Sequence, residues 1–273
     1  MGNEPLEQAK MAAEVIGALI QTAGDSPDVK QAGAEIGKAA LTLAKSVNVV
    51  LLPLAAINFG YDKAKEYFSN KSKFEKEFSE KTNKILPEDV IEPKPSIAGP
   101  VLQGLAFSHD EPNLKEMYLN LLSNSMNRKK SSRVHPAFVE IIKQLSADEI
   151  YALNLFIKNS AVIPIVEIRR NVNDTQNFLV SKKHILNIFN NVTGVPVVVK
   201  NLDTYVENWI RLGLFSVDYD SSLSATDSYN WADNRPEYLE EVAKMDKLTT
   251  PSLTKGIFTR TALGREFAAA VEV

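Results

Sequence analysis

The chain has 273 residues and a mass of 30.2 kDa, with 44% hydrophobic, 24% charged and 8% aromatic side chains. That is room for one large domain or two modest ones around a sizeable core, and a composition unlike a disordered, collagen-like or mucin-like chain. Having no cysteine, it cannot be a disulfide scaffold, a thiolate zinc protein or a cysteine-nucleophile enzyme, and 31 Lys and Arg against 34 Asp and Glu leave a net charge of −3 with no global pull toward nucleic acid or anionic lipid.

Met1 to Lys10 carries Glu4, Pro5 and Glu7 where a secretion signal would place positive charge before an apolar core, so a cytoplasmic protein is expected. Residues 4–23 set Leu6, Met11, Val15, Ala18 and Leu19 at three- and four-residue steps, the spacing of an amphipathic helix that Gly24 to Pro27 ends. A second helix is expected from Ser26 through Ala32, Ile36, Ala40 and Leu43. It leads into an uncharged stretch, residues 46–61, which would reach about 24 Å as a helix against a hydrocarbon thickness of roughly 30 Å. With Asn48, Pro53 and Asn58 inside it, the stretch reads first as a buried helix kinked at Pro53. Val50, Leu51, Leu52, Leu54 and Phe59 are the candidate contacts should it leave the core to meet a lipid or partner surface, the protein then becoming peripheral to a membrane on activation. Tyr61 to Lys84 is densely charged, with Tyr67, Phe68, Phe74 and Phe78 at helical spacing, and predicts one long solvated helix with a single apolar stripe.

Residues 1–86 are thus expected as an N-terminal helical bundle, followed by a Pro-rich linker over 87–100 that holds Pro87, Pro93, Pro95 and Pro100. A central helical region, 101–160, comes next. Its helices start near Val101, at Asp110-Glu111-Pro112, at His135-Pro136, and at Ser146, where the S-x-x-E spacing of Ser146 and Glu149 forms a capping box. Beyond Ser160, Val162 to Ile168 reads as a strand, Ser181 to Val192 as a short helix, and Asn201 to Leu212 as a helix stopped by Gly213. Leu214 to Tyr219 alternates like an edge strand, a polar excursion covers 220–251, Gly256 to Thr261 returns as a strand, and Leu263 to Val271 closes as a helix. The expected fold class is therefore mainly α, with a winged-helix-like α+β part over 161–273.

The chemistry that enzymes need is sparse. Gly33-Ala34-Glu35-Ile36-Gly37-Lys38-Ala39 is one residue short of a phosphate-binding loop and ends in Ala, and neither G-x-G-x-x-G nor G-x-S-x-G occurs. His109, His135 and His184 lie far apart, so neither a metal nor a cofactor is expected, and the chain reads as a non-enzyme. The cationic groups are Arg128, Lys129 and Lys130 with Arg133, then Arg169-Arg170 and Lys182-Lys183. His135, at a helix start beside the first of these, is read as a capping residue that could also meet an anion, and the five residues Arg128, Lys129, Lys130, Arg133 and His135 form the candidate interaction site. Nucleic acid is the less favoured partner. Asp203 and Glu207 on the candidate recognition helix would repel phosphate, and Trp209 falls on its apolar face.

Three stretches taken together carry a family likeness. They are Leu51-Leu52-Pro53-Leu54 leading to Gly60-Tyr61; Asn113-Leu114 through Tyr118, Leu121, Leu122 and Met126 to the block His135-Pro136-Ala137-Phe138; and Leu212-Gly213-Leu214 with Thr261-Ala262-Leu263-Gly264-Arg265-Glu266-Phe267. The pattern resembles the Abi-alpha, or abortive infection alpha, family of bacterial proteins over nearly the whole chain, with Arg260 departing from the Leu or Ile commoner before that threonine. The resemblance implies phage defence and carries no established active site. The expectation it supports is a sensor or adaptor that recognises a phage-derived component, a protein or a lipid compartment, and engages a co-encoded effector protein.

Overall fold

A computed structural model describes residues 61–69, 73–159 and 161–272, with isolated helical residues at 38–39, 42–43 and 46–47. The helix expected over 4–23, most of the next one, and Val50, Leu51, Leu52, Leu54 and Phe59 lie outside the described residues. The described elements are, in chain order, helices α1 (Tyr61–Ser69), α2 (Phe74–Thr82), α3 (Pro95–Ser108), α4 (Pro112–Ser125), α5 (Pro136–Lys143) and α6 (Ala147–Phe156); strands β1 (Ile163–Val172) and β2 (Phe178–Leu186); helix α7 (Leu202–Arg211); strand β3 (Phe215–Asp218); helix α8 (Pro236–Ala243); strand β4 (Thr249–Arg260); and helix α9 (Ala262–Val271). The protein is mainly α, with an antiparallel sheet in its C-terminal part. It divides into one compact unit running to Ile150 and including Glu266–Val273, and another formed by Tyr151–Arg265.

In the first unit proline opens helices rather than separating them. Pro95, Pro112 and Pro136 each stand in the first turn of α3, α4 and α5, where a missing N–H costs nothing because that donor would have no helical acceptor. The stretch read as a linker over 87–100 is corrected on this ground: α3 begins at Pro95, runs through Pro100, and buries Ile97 and Ala98. The single charged helix expected over Tyr61 to Lys84 is instead the pair α1 and α2. Its aromatic stripe closes on itself, Tyr67 and Phe68 meeting Phe74 edge-on at 5.7 and 5.2 Å and Phe74 stacking on Phe78 at 5.6 Å, so Tyr67, Phe68 and Phe78 are buried. His109 is a core histidine, stacked on Tyr67 at 4.7 Å.

Two buried asparagines on one face of α4 finish this unit. Asn120 Nδ2 donates to the Val271 carbonyl and Asn124 Nδ2 to that of Ala270, each at 2.9 Å, which supplies partners for the orphan carbonyls at the end of α9. The capping box forms as expected: Glu149 N–H donates to Ser146 Oγ and Ser146 N–H to Glu149 Oε2, both at 3.2 Å.

The second unit is built on a four-stranded antiparallel sheet of order β2-β1-β4-β3. The helix expected over Ser181 to Val192 is corrected to β2 and the loop after it. A bulge explains the misreading. Val166 pairs with Ile185 but Ile168 with Lys182, so an extra residue enters β2, and His184 takes it up with φ +57° in the left-handed region. The insertion breaks the alternation of the strand and leaves His184, Ile185 and Leu186 successively buried. The polar excursion over 220–251 is likewise no free tip. It covers the sheet with Tyr229 and Ala232 against Val166, Ile168 and Ile185, and Tyr229 Oη donates to the Gly256 carbonyl at 2.8 Å.

At the end of α7, Gly213 at φ +72° donates to Ile210, and Leu214 N–H to Trp209 at 2.9 Å, the paired bonds that close a helix through a left-handed glycine. Thr261 then joins two pieces of the third family-like stretch, its Oγ1 donating to the Gly213 carbonyl at 2.5 Å across 48 residues. Gly264 packs so closely that an added Cβ would stand 2.2 Å from the Leu214 carbonyl oxygen. Trp209, Phe215 and Phe258 fill the core beneath, Phe215 and Phe258 stacked at 4.3 Å.

Candidate functional site

The structure separates the three cationic groups by what their charges touch. Arg169 Nη2 lies 2.6 Å from Glu167, Arg170 Nη2 3.4 Å from Glu241, Lys182 Nζ 2.9 Å from Glu240, and Lys183 Nζ 3.9 Å from Glu207. Those four cations are spent within the second unit. The turn after α4 differs, because Arg128 and Arg133 are exposed and make no ion pair among the described residues. Lys129 pairs with the largely buried Asp89, and Lys130 Nζ with Glu272 at 2.6 Å.

The turn holds its shape through backbone bonds. Ile91 N–H donates to Met126 at 2.9 Å and Arg128 N–H to Asp89 at 2.8 Å, bracketing a single antiparallel bridge between Val90 and Asn127. Asn127 Oδ1 accepts from Lys129 N–H at 2.9 Å, a local turn that asparagine favours, and Ser131–Arg133 follow as one 3-10 turn. His135 then caps α5: its Nδ1 accepts from the Ala137 N–H at 3.1 Å. Capping, the first role the sequence suggests for His135, is the contact the structure contains. A cleft of about 300 Å³ opens beside the turn, lined by Ile91, Glu92, Lys94, Ile97, Ser125, Ser131, Ser132 and Val134. Exposed guanidinium groups on a pinned turn, next to serine hydroxyls, are suited to holding acidic groups of a partner.

Two polar constellations in the second unit were not visible in the sequence. His184, buried, has Nε2 at 3.0 Å from Glu207 Oε1 and Nδ1 at 3.1 Å from Tyr219 Oη, partners 23 and 35 residues away. The carboxylate can only accept, so Nε2 donates to Glu207, and the Tyr219 hydroxyl accepts from the His184 backbone N–H at 3.2 Å. Burial pushes the Tyr219 hydroxyl well above the usual tyrosine range. Arg235 is 1% exposed and donates to Glu237 Oε1 and Oε2 at 2.6 and 3.0 Å, and to the carbonyls of Ile188 and Val197 at 2.6 and 2.9 Å. The spacing of Arg235 and Glu237 signals nothing by itself; only their burial makes the pair conspicuous. Trp209 is fully buried in the core, as the apolar face of its helix suggests. Among the described residues no three His, Asp or Glu side chains gather as metal ligands, and no helix is long and apolar enough to cross a membrane.

The chain comprises a helical unit bearing an exposed basic turn and an α+β unit tied by buried ion pairs, and this composition defines its structural class. No curated protein and no solved structure matches the chain. The family model described as abortive infection alpha matches residues 67–271, most of the chain, and the protein belongs to that family. At the level of the family this means abortive-infection defence.

Proposed function

We propose that this protein is a cytoplasmic, non-enzymatic sensor and adaptor in antiphage defence, which recognises a phage-derived component and engages a co-encoded effector protein. The observation that carries the reading is the turn at 128–133, where Arg128 and Arg133 stand exposed and, among the described residues, unpaired on a hydrogen-bonded base while the clusters elsewhere are neutralised. Free guanidinium groups held in place lose little entropy on meeting an acidic surface.

The test is protection from phage in cells producing the double variant Arg128→Ala/Arg133→Ala. Neither side chain has an ion pair to break among the described residues, so the variant is expected to fold, and phage plating is expected to rise toward that of cells without the protein. Unchanged protection by a folded variant removes the turn from the account.

The membrane-acting alternative uses Val50, Leu51, Leu52, Leu54 and Phe59, and flotation with liposomes in the presence of phage lysate separates it from the adaptor reading. The winged-helix reading of 161–273 draws support from the succession of α7 and the antiparallel pair β3–β4. As a nucleic-acid module it is the weaker choice, because Glu207 on α7 adds negative charge to that helix.

A further inference from the structure

The loop between β2 and α7 is unusual in what it shows to solvent. Every residue from Phe189 to Val198 is exposed, with Val192 94%, Val195 59%, Val198 54% and Phe189 49% accessible. Isolated surface aliphatics are ordinary, but Phe189, Val192, Val195, Val197 and Val198 projecting together from one ten-residue loop mark an interaction site. This loop is also built. Asn190 N–H donates to Val195 and Val197 N–H to Ile188, both at 2.9 Å, which makes a short hairpin; Asn190 Oδ1 accepts from Val192 N–H at 2.9 Å, and Gly194 at φ +69° completes the turn. The buried guanidinium of Arg235 grips both legs at their base, through the Ile188 and Val197 carbonyls, while Glu237 holds Arg235. A buried arginine–glutamate fork spent on two loop carbonyls keeps the apolar tip in place at its own desolvation cost.

We infer that this hairpin is a membrane-docking loop, whose tip of Phe189, Val192 and Val195 enters the interface of an anionic bilayer. Charge and shape select lipid over a protein partner. From Ile185 to Leu202 the chain has no Asp or Glu and its one charge is Lys200, exposed at the base of the loop and suited to an anionic headgroup. An apolar tip exposed on all sides is a shape for a fluid that closes round it, whereas a protein partner would have to offer a fitted pocket. The pre-ordered hairpin leaves little entropy to lose on insertion. This site is independent of the basic turn and of segment 46–61.

The experiment is sedimentation of the full chain with vesicles of phosphatidylcholine, alone or mixed with phosphatidylserine. The wild type is expected to sediment with the mixed vesicles, less so at high salt, and Val192→Asp/Val195→Asp to lower the partition constant at least about tenfold with circular dichroism unchanged. Because the chain lacks cysteine, Val192→Cys carrying an environment-sensitive fluorophore gives a second reading, expected to shift to the blue on mixed vesicles. A wild type that stays in the supernatant with mixed vesicles at low salt overturns the inference. So does a Val192→Asp/Val195→Asp protein that sediments like the wild type, which would assign the attachment to another segment. Loss of a lipid-free dimer in that variant, without vesicle binding by the wild type, would make a second copy of the chain the occupant and overturn it equally.

Discussion

Among the described residues of the unit that runs to Ile150, the buried carboxylates are Asp89 and Glu149, at a turn and in a capping box, and the rest of the interior is apolar side chains with a few hydroxyl, amide and imidazole groups. The unit of Tyr151–Arg265 buries Glu167, His184, Arg235, Glu237 and Glu241, tying His184, Arg235 and Glu241 to partners 23 or more residues away and pairing Glu167 and Glu237 with arginines two residues off. The difference follows from where each unit's backbone bonds go. Helices satisfy their own N–H and C=O groups, leaving side chains free to build an apolar core, and only the helix ends need help, as Asn120 and Asn124 provide. A short sheet with long connections leaves loop carbonyls inside, and ionised side chains are the donors that reach them.

The largest expected effect is on the ionic side of that contrast. Arg235→Ala strands the Glu237 carboxylate and two loop carbonyls, and is expected to cost about 3–5 kcal/mol. Both tryptophans, Trp209 and Trp231, lie in this unit, so urea unfolding followed by their fluorescence reads it directly. A change under about 1 kcal/mol would erase the distinction between the units. In the helical unit the corresponding blow is a cavity: Leu102→Ala, at a fully buried position of α3, is expected to lose about 2–5 kcal/mol by far-ultraviolet circular dichroism in urea.

Smaller effects sharpen the comparison. Ser146→Ala removes one half of the capping box and should cost about 1 kcal/mol in the same dichroism experiment, with Ser146→Asp restoring most of it. The last effect appears only in acid. Burial raises the Glu241 carboxyl, but hydrogen bonds from Ser181 and Lys244 and the nearby lysine charges overcome it and hold the group below its ordinary value of 4.5. The folded state therefore binds this proton less readily than the unfolded state. Its contribution is fully present above about pH 4.5 and is lost as pH falls through the lower folded value. Glu241→Gln should flatten that part of the stability profile between about pH 3 and 5, measured by urea midpoints on tryptophan fluorescence.

Legibility in the sequence follows the same divide. The helix starts at Pro112 and Pro136, the capping box and the stop at Gly213 were all readable, since each depends on residues within five positions of one another. The strand at 178–186 was hidden because the bulge at His184 replaces alternation with a spacing that imitates a helix. The excursion over 220–251 reads as polar in sequence, whereas Arg235, Glu237 and Glu241 are inside. The basic turn stood out in the sequence. That Lys129 and Lys130 are engaged, while Arg128 and Arg133 have no ion pair among the described residues, was not readable, because the partners Asp89 and Glu272 are 40 and 142 residues away.

From the amino-acid order alone came the predominance of helix, most helix boundaries, the lack of thiol chemistry and the family likeness, all set by local geometry and by which residue types occur. Tertiary structure alone decided which charges are neutralised, which histidine is buried between a carboxylate and a tyrosine, and which apolar residues are left facing water. Hydrogen bonds and ion pairs act over about 3 Å, whereas the residues that make these ones lie tens of positions apart, and only the folded chain closes that gap.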